Sequence, residues 1–289
     1  MALTEVVFLI LFWTWVGTAV LFLRQTILPR MPLAPGPLPW QASHVQSVTF
    51  QATDGIILAG WKVPIDPSRP WILLCHGLGA NRADLLEIAT GLTKARYNVF
   101  LFDFRAHGES AGRSTSFGWL EQRDLEGALA FLGAQPEIPD RPYGVFGVSM
   151  GGAVAIMVAA KDDRLAAMAV DSIYGNLEHS LAHHLKLLYR LPRIPFGLFI
   201  NTAYRLRFGV WPNRMSPQKA VSRLSPRPLL VIHGEHDLRM PLEAAKALVD
   251  AAGERTELWV VPTTEHSGGF ALDPDAYLKR LVGFFDSTL

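Results

Sequence analysis

One cysteine in 289 residues leaves no pair for an intrachain disulfide, so thiol content places no demand for an oxidising compartment. Cys75 lies in the run "WILLC" and reads as a small buried hydrophobe. A surplus of either charge is also missing. The 27 Lys and Arg stand against 26 Asp and Glu, without a basic stripe or an aromatic-rich RNA motif, which excludes a nucleic-acid footprint. Internal repeats are lacking, and low complexity is confined to one proline-rich stretch. Charged residues make up only 18% against 49% hydrophobic, an apolar balance for a soluble enzyme, while the length suffices for one large α/β domain with a substantial core.

Much of the apolar excess is N-terminal. Residues 6–23, "VVFLILFWTWVGTAVLFL", carry no charge, close to the minimum length for a membrane-spanning helix. A buried core helix would show a polar face. A cleaved signal peptide would show a basic leading segment, whereas Glu5 is the only charge ahead of the run. Residues 1–27 therefore read as a single-pass anchor. Arg24 and Arg30 follow the span with no Lys or Arg before it, which favours a cytoplasmic C-terminal domain. Residues 28–40 hold Pro29, Pro32, Pro35, Pro37 and Pro39, an extended, stiff linker. The domain is expected to fill 41–289.

Within it, "HVQSVTFQ" and "IILAGWKV" flank Thr53-Asp54-Gly55 and read as an antiparallel hairpin. The short apolar runs "WILLC", "NVFLFD", "YGVFGV", "LAAMAV", "PLLVIH" and "ELWVV" alternate with helical patterns such as "ADLLEIATGLTKA". That succession predicts an α/β fold with a mostly parallel, doubly wound sheet, whose ligands bind beyond the carboxyl ends of the strands.

At one such end "YGVFGVSMGGAV" sets Ser149 between Gly147 and Gly151, after a strand and before a helix. This is the nucleophile elbow, in which a tight turn thrusts the serine hydroxyl out above the sheet and leaves no room for flanking side chains. A hydroxyl is a weak nucleophile at neutral pH and needs a base held by a carboxylate. The expected order is serine, acid, histidine. Asp237 follows the strand "PLLVIH" and His266 follows "ELWVV", both at the sheet edge that carries Ser149. Asp171, ending "LAAMAVD", is a rival acid. The N–H groups of Met150 and of Leu78, in "WILLCHGLGANR", are placed to form an oxyanion hole, each donor worth roughly 3 kcal/mol of barrier. Gly77-Leu78-Gly79 also begins like a dinucleotide fingerprint, but Arg82 stands where the third glycine belongs and no helix cap is evident. Asp103 and His107 read as a loop staple, His76 as shaping the oxyanion turn, and His233 and His236 as loop packing. His179, His183 and His184 read as an exposed helix face, lacking the acidic or cysteine partners of a metal site.

Residues His76 to Gly79, "DFRAHGESAG", the elbow, Asp237 and His266 together resemble the α/β-hydrolase superfamily from about Val45 onward, most like serine esterases and lipases of the monoacylglycerol-lipase and acyl-peptidase type. Ala106 stands where the family's loop usually has glycine. The resemblance implies an α/β-hydrolase fold, no metal or organic cofactor, and a helical cap at the insert of about 176–224. That insert mixes Leu, Phe, Tyr and Trp with Arg and Lys, and beside a membrane anchor it suggests a small-molecule or lipid-derived ester substrate; an apolar side packed on the core is the plainer reading. The expectation is a membrane-tethered serine hydrolase of acyl esters. A peptidase or thioesterase on the same fold, or a non-catalytic binding protein, remains the alternative.

Overall fold

The computed structural model describes residues 3–26, 38, 45–138, 141–262 and 264–289. The 28–40 linker, apart from Leu38, and the expected domain start at 41 lie outside the described residues. Two antiparallel strands open the domain, β1 (Gln46–Gln51) and β2 (Ile57–Val63), in the register Gln51 opposite Ile57. Gly55 takes a positive φ of 85° in the turn between them, which a side chain would strain. Six further strands follow: β3 (Trp71–Cys75), β4 (Asn98–Phe102), β5 (Tyr143–Val148), β6 (Leu165–Asp171), β7 (Leu229–Gly234) and β8 (Thr256–Val261). The sheet order is β1-β2-β4-β3-β5-β6-β7-β8. β2 joins β4 antiparallel, and every pairing from β4 across to β8 is parallel.

Continuous apolar runs arise because both sheet faces are covered and side chains alternate between them. On one face Trp71, Leu73, Cys75, Phe100, Phe102, Val145 and Val231 join a cluster with α3 (Glu121–Gly133), α4 (Met150–Ala159) and α8 (Leu242–Asp250). On the other, Ile72, Leu74, Val99, Leu101, Phe146 and Ile232 pack against α2 (Leu86–Lys94) and α10 (Pro274–Thr288), the latter preceded by the single turn α9 (Gly269–Leu272). Cys75 is fully buried. Burial pushes its thiol well up, so it stays protonated and inert.

Between β6 and β7 the chain leaves the sheet to form α5 (Leu177–Tyr189), α6 (Arg193–Phe208) and the short α7 (Pro217–Ala220). Pro192 caps α6, and non-helical Ile194 kinks its first turn. The N-terminal run is one helix, α1 (Leu3–Thr26), with a mean hydropathy of 2.4 over its most apolar 18 residues. At 24 residues it is about 36 Å long, enough to cross a hydrocarbon core. Its first half exposes apolar side chains, with Leu3 80%, Phe8 67% and Trp13 65% exposed, whereas Thr18, Ala19, Phe22 and Thr26 are buried. The second half packs on the domain. Phe22 lies against Phe117 and Tyr204 with tilted rings, at ring-centroid distances of 5.9 and 6.0 Å, and the Thr115 N–H donates to the Thr26 carbonyl over 2.9 Å.

Candidate active site

Ser149 occupies the turn between β5 and α4 with φ 52° and ψ −116°, a conformation that costs of order 1–3 kcal/mol and persists only where the surroundings enforce it. The enforcement is steric. A Cβ on Gly147 would stand 2.6 Å from Gly152 Cα, and one on Gly151 would stand 2.2 Å from the Cys75 carbonyl oxygen. From the next strand the Asp171 carbonyl accepts the Ser149 N–H over 2.8 Å. Gly151→Ala pushes a methyl group into backbone that cannot yield. It is expected to cost about 3 kcal/mol or more and to be seen as a lowered Tm and loss of folded protein.

The loops after β7 and β8 bring two further groups to this turn. His266 Nε2 lies 3.1 Å from Ser149 Oγ, and His266 Nδ1 lies 2.7 Å from Asp237 Oδ2. A carboxylate only accepts, so Nδ1 carries the proton and Nε2 presents its lone pair to the serine hydroxyl. Asp237 Oδ1 accepts the N–H groups of Arg239 and Met240 over 2.9 and 2.8 Å, which orients the carboxylate. Burial raises the Asp237 pKa, but the hydrogen bonds from His266 and Met240 outweigh it and hold the group below its usual range. His233 sits beneath, donating from Nε2 to the Met240 carbonyl over 2.7 Å.

Asp171, the rival acid, is engaged elsewhere. Its carboxylate accepts from the Tyr277 hydroxyl over 2.7 Å and from Ser172 Oγ over 2.8 Å. Ser172 Oγ in turn accepts the Ser267 N–H over 3.0 Å, so this buried network supports the His266 loop from below. Tyr277 and Ser172 carried no motif in the sequence. Being next to Asp171 was the one available hint for Ser172.

Leu78 and Met150 both border the cavity that contains Ser149, and Met150 is the first residue of α4, where helix N–H groups have no intrahelical acceptor. The Leu78 loop is shaped by His76, which donates from Nδ1 to the Gly77 carbonyl over 2.7 Å and accepts the Phe104 N–H at Nε2 over 3.0 Å. Both nitrogens are committed to a neutral ring, and burial pushes its pKa down to about 3 from the ordinary 6.5. Unfolding below pH 6.5 therefore takes up a proton. The stability this histidine confers is complete above 6.5 and falls as pH drops toward 3, by about 2 kcal/mol between pH 7 and pH 5. In His76→Gln the amide oxygen still accepts from Phe104 but does not titrate. Thermal unfolding at the two pH values is expected to show a smaller acid loss in the variant; an equal loss would remove His76 as the source.

Asp103 accepts the Arg82 guanidinium, the Arg82 N–H over 2.7 Å and the Glu109 N–H over 2.9 Å, while His107 Nε2 accepts the Gly79 N–H over 3.2 Å. These contacts are the loop staple expected from the sequence. Ala106 takes φ 61°, the conformation that suits glycine there. Two expectations need correcting. A cap does follow the glycines, since Asn81 and Asp84 form a capping box on the 3₁₀ turn Arg82–Leu85. The histidines of α5 are not all on an exposed face: His183 Nε2 donates to the Leu238 carbonyl over 2.8 Å, and His184 faces the cavities beside Ser149. Among the described residues no group of three or more His, Cys, Asp or Glu is placed to hold a metal ion.

The α/β hydrolase fold family matches residues 70–193. The chain is 29% identical over 263 residues to Escherichia coli K12 YfhR, spanning 88% of this chain and 84% of that protein. It is 26% identical over 235 residues to Bacillus subtilis YqkD, spanning 81% and 76%. Among solved structures, the Pyrococcus furiosus esterase Pf2001 superposes with a TM-score of 0.72 at 25% identity, covering 90% of this chain and 99% of that one. A bacterial membrane phospholipase A superposes at 0.61 with 19% identity, covering 85% and 87%.

Proposed function

We propose that this chain, a serine hydrolase with the α/β-hydrolase fold, cleaves carboxylic esters through an acyl-enzyme formed on Ser149, and does so while tethered to a membrane by α1. The observation that carries the reading is the unbroken line from Asp237 through His266 to Ser149, with contacts of 2.7 and 3.1 Å.

In this mechanism Ser149 Oγ attacks the ester carbonyl carbon as its proton passes to His266 Nε2. The carbonyl oxygen becomes an oxyanion, stabilised by the N–H groups of Leu78 and Met150. Asp237 holds the imidazole in the Nδ1–H tautomer and stabilises the imidazolium. The acyl carbon–oxygen bond then breaks, and the proton on Nε2 moves to the departing alkoxide, which leaves as the alcohol. A water molecule enters, gives its proton to the same nitrogen and attacks the acyl carbon. Collapse of that intermediate returns the proton to Ser149 Oγ and releases the acid.

For the tether, the support is a 24-residue helix whose first half presents only apolar and weakly polar side chains after Glu5. Arg24 and Arg30 at its carboxyl side favour a cytoplasmic catalytic domain. The test is full-length protein in detergent, treated with a fluorophosphonate and digested for mass spectrometry, beside turnover of p-nitrophenyl esters. Modification at Ser149 that abolishes ester turnover is the expected result. Turnover that survives full modification, or a label on another serine, sinks the reading.

A further inference from the structure

Ser149 stands where two cavities meet. The first, about 200 Å³, is walled by Met150 and Leu78 near the serine, by Leu181 and Leu185 of α5, and by the second half of α1. The second holds His76, Asp84, His266, Ser267 and Phe270 and is the more polar. Leu78, His184, Arg239 and Met240 border both.

Direction follows from the proton. His266 borders the second cavity and not the first. The group that receives the proton from His266 must lie within hydrogen-bond reach of it, so the leaving alcohol occupies the second cavity. The acyl chain then extends into the first, where Thr18, Leu21, Phe22 and Gln25 wait at i, i+3, i+4 and i+7 on one face of α1. That face is fixed to the domain. Gln25 Nε2 donates to the Tyr189 hydroxyl over 3.1 Å, and Phe22 is clasped by Phe117 and Tyr204. The rim beside Gln25 is apolar and open, with Leu188 60% exposed and Leu21 and Tyr189 also exposed.

Resting on the ester-hydrolase reading, we propose that the last two turns of α1 are part of the acyl-binding site. Its occupant is one long acyl chain of a membrane lipid ester. The helix that would enter the bilayer is the same one that walls the cavity, so the chain passes from lipid to Ser149 along α1. The anchor selects substrate; the acyl pocket is incomplete without it.

The test uses the full chain in detergent micelles, with kcat/KM for p-nitrophenyl acetate, butyrate, laurate and palmitate. Thr18→Phe and Leu21→Trp fill the cavity from the α1 side, and Ile10→Trp alters only the outward face of the helix. Each methylene denied an apolar wall lowers kcat/KM roughly fourfold. Laurate and palmitate turnover should therefore fall about tenfold or more in the two cavity variants, with acetate and butyrate within about threefold and Ile10→Trp unchanged. An equal fall on all four esters, or the same profile in Ile10→Trp, overturns the proposal. A second readout is independent of folding in the variants: a long-chain alkyl fluorophosphonate carrying a diazirine along the chain, bound to Ser149 and photolysed. Crosslinks to residues 18–25 are expected, and crosslinks confined to the Phe270 side overturn it. A wild-type protein that neither labels nor turns over any ester removes the hydrolase reading; one that does both without chain-length discrimination removes only this inference.

Discussion

Ser149→Ala is expected to lower kcat on p-nitrophenyl butyrate by about 10⁶-fold and to abolish fluorophosphonate labelling, with Tm changed by less than about 1 kcal/mol in equivalent stability. The large factor follows from the proposed mechanism, in which removal of Oγ leaves no nucleophile to form the acyl-enzyme, and only the proposed oxyanion donors and substrate binding to help water. The small stability change follows from the structure. The elbow is enforced by Gly147, Gly151 and the Asp171 carbonyl, none of which touches the hydroxyl. The backbone strain at φ 52° is the same for alanine, and the one hydrogen bond lost is to His266 Nε2. Paired measurement of kcat and thermal unfolding separates the two. Retention of more than about 1% of the rate in a well-folded variant would mean that another group carries the reaction.

The sheet was legible because a strand buried on both faces must be apolar throughout; β3 to β7 are such strands, and the run of the half-buried edge strand β8 stands apart in the sequence with them. The elbow was legible because its glycines are demanded by contacts with neighbouring backbone. Asp237 and Asp171 could not be separated in the same way. Asp171 closes β6 and Asp237 lies in the loop after β7, both at the same sheet edge, and Asp171 is engaged instead by Tyr277, brought under it from α10, more than 100 positions along the chain. The Asn81 cap is not legible in the sequence because the 3₁₀ turn it begins is too short to show periodicity. The inward position of His184 depends on how α5 sits over Ser149, a tertiary matter. The double character of α1 was hidden for a related reason. Apolar residues occur all round the helix, so hydropathy registers a run long and apolar enough to cross a membrane but cannot show which face docks against Phe117 and Tyr204.

Asp237→Asn is expected to cost about 10⁴-fold in kcat with the fold intact, whereas Asp171→Asn is expected to cost less than about tenfold. The asymmetry comes from the tautomer. Asp237 Oδ1 accepts two backbone N–H groups, from Arg239 and Met240. An asparagine must therefore keep its oxygen there and turn its NH₂ toward His266. An NH₂ group donates, so His266 Nδ1 has to accept, and the ring proton moves to Nε2. That nitrogen can no longer accept the proton of Ser149. Asp171 has no such lever. It meets the Tyr277 and Ser172 hydroxyls, and Ser172 can rotate its hydroxyl to accept from the asparagine NH₂. The cost there is an altered buried hydrogen bond, about 1–3 kcal/mol in stability, passed to catalysis only through the Ser267 backbone. Steady-state kinetics and thermal unfolding on both variants test the contrast: a rate loss at Asp171 as large as that at Asp237, in protein of undiminished Tm, would move the orienting role from the β7 loop to the end of β6.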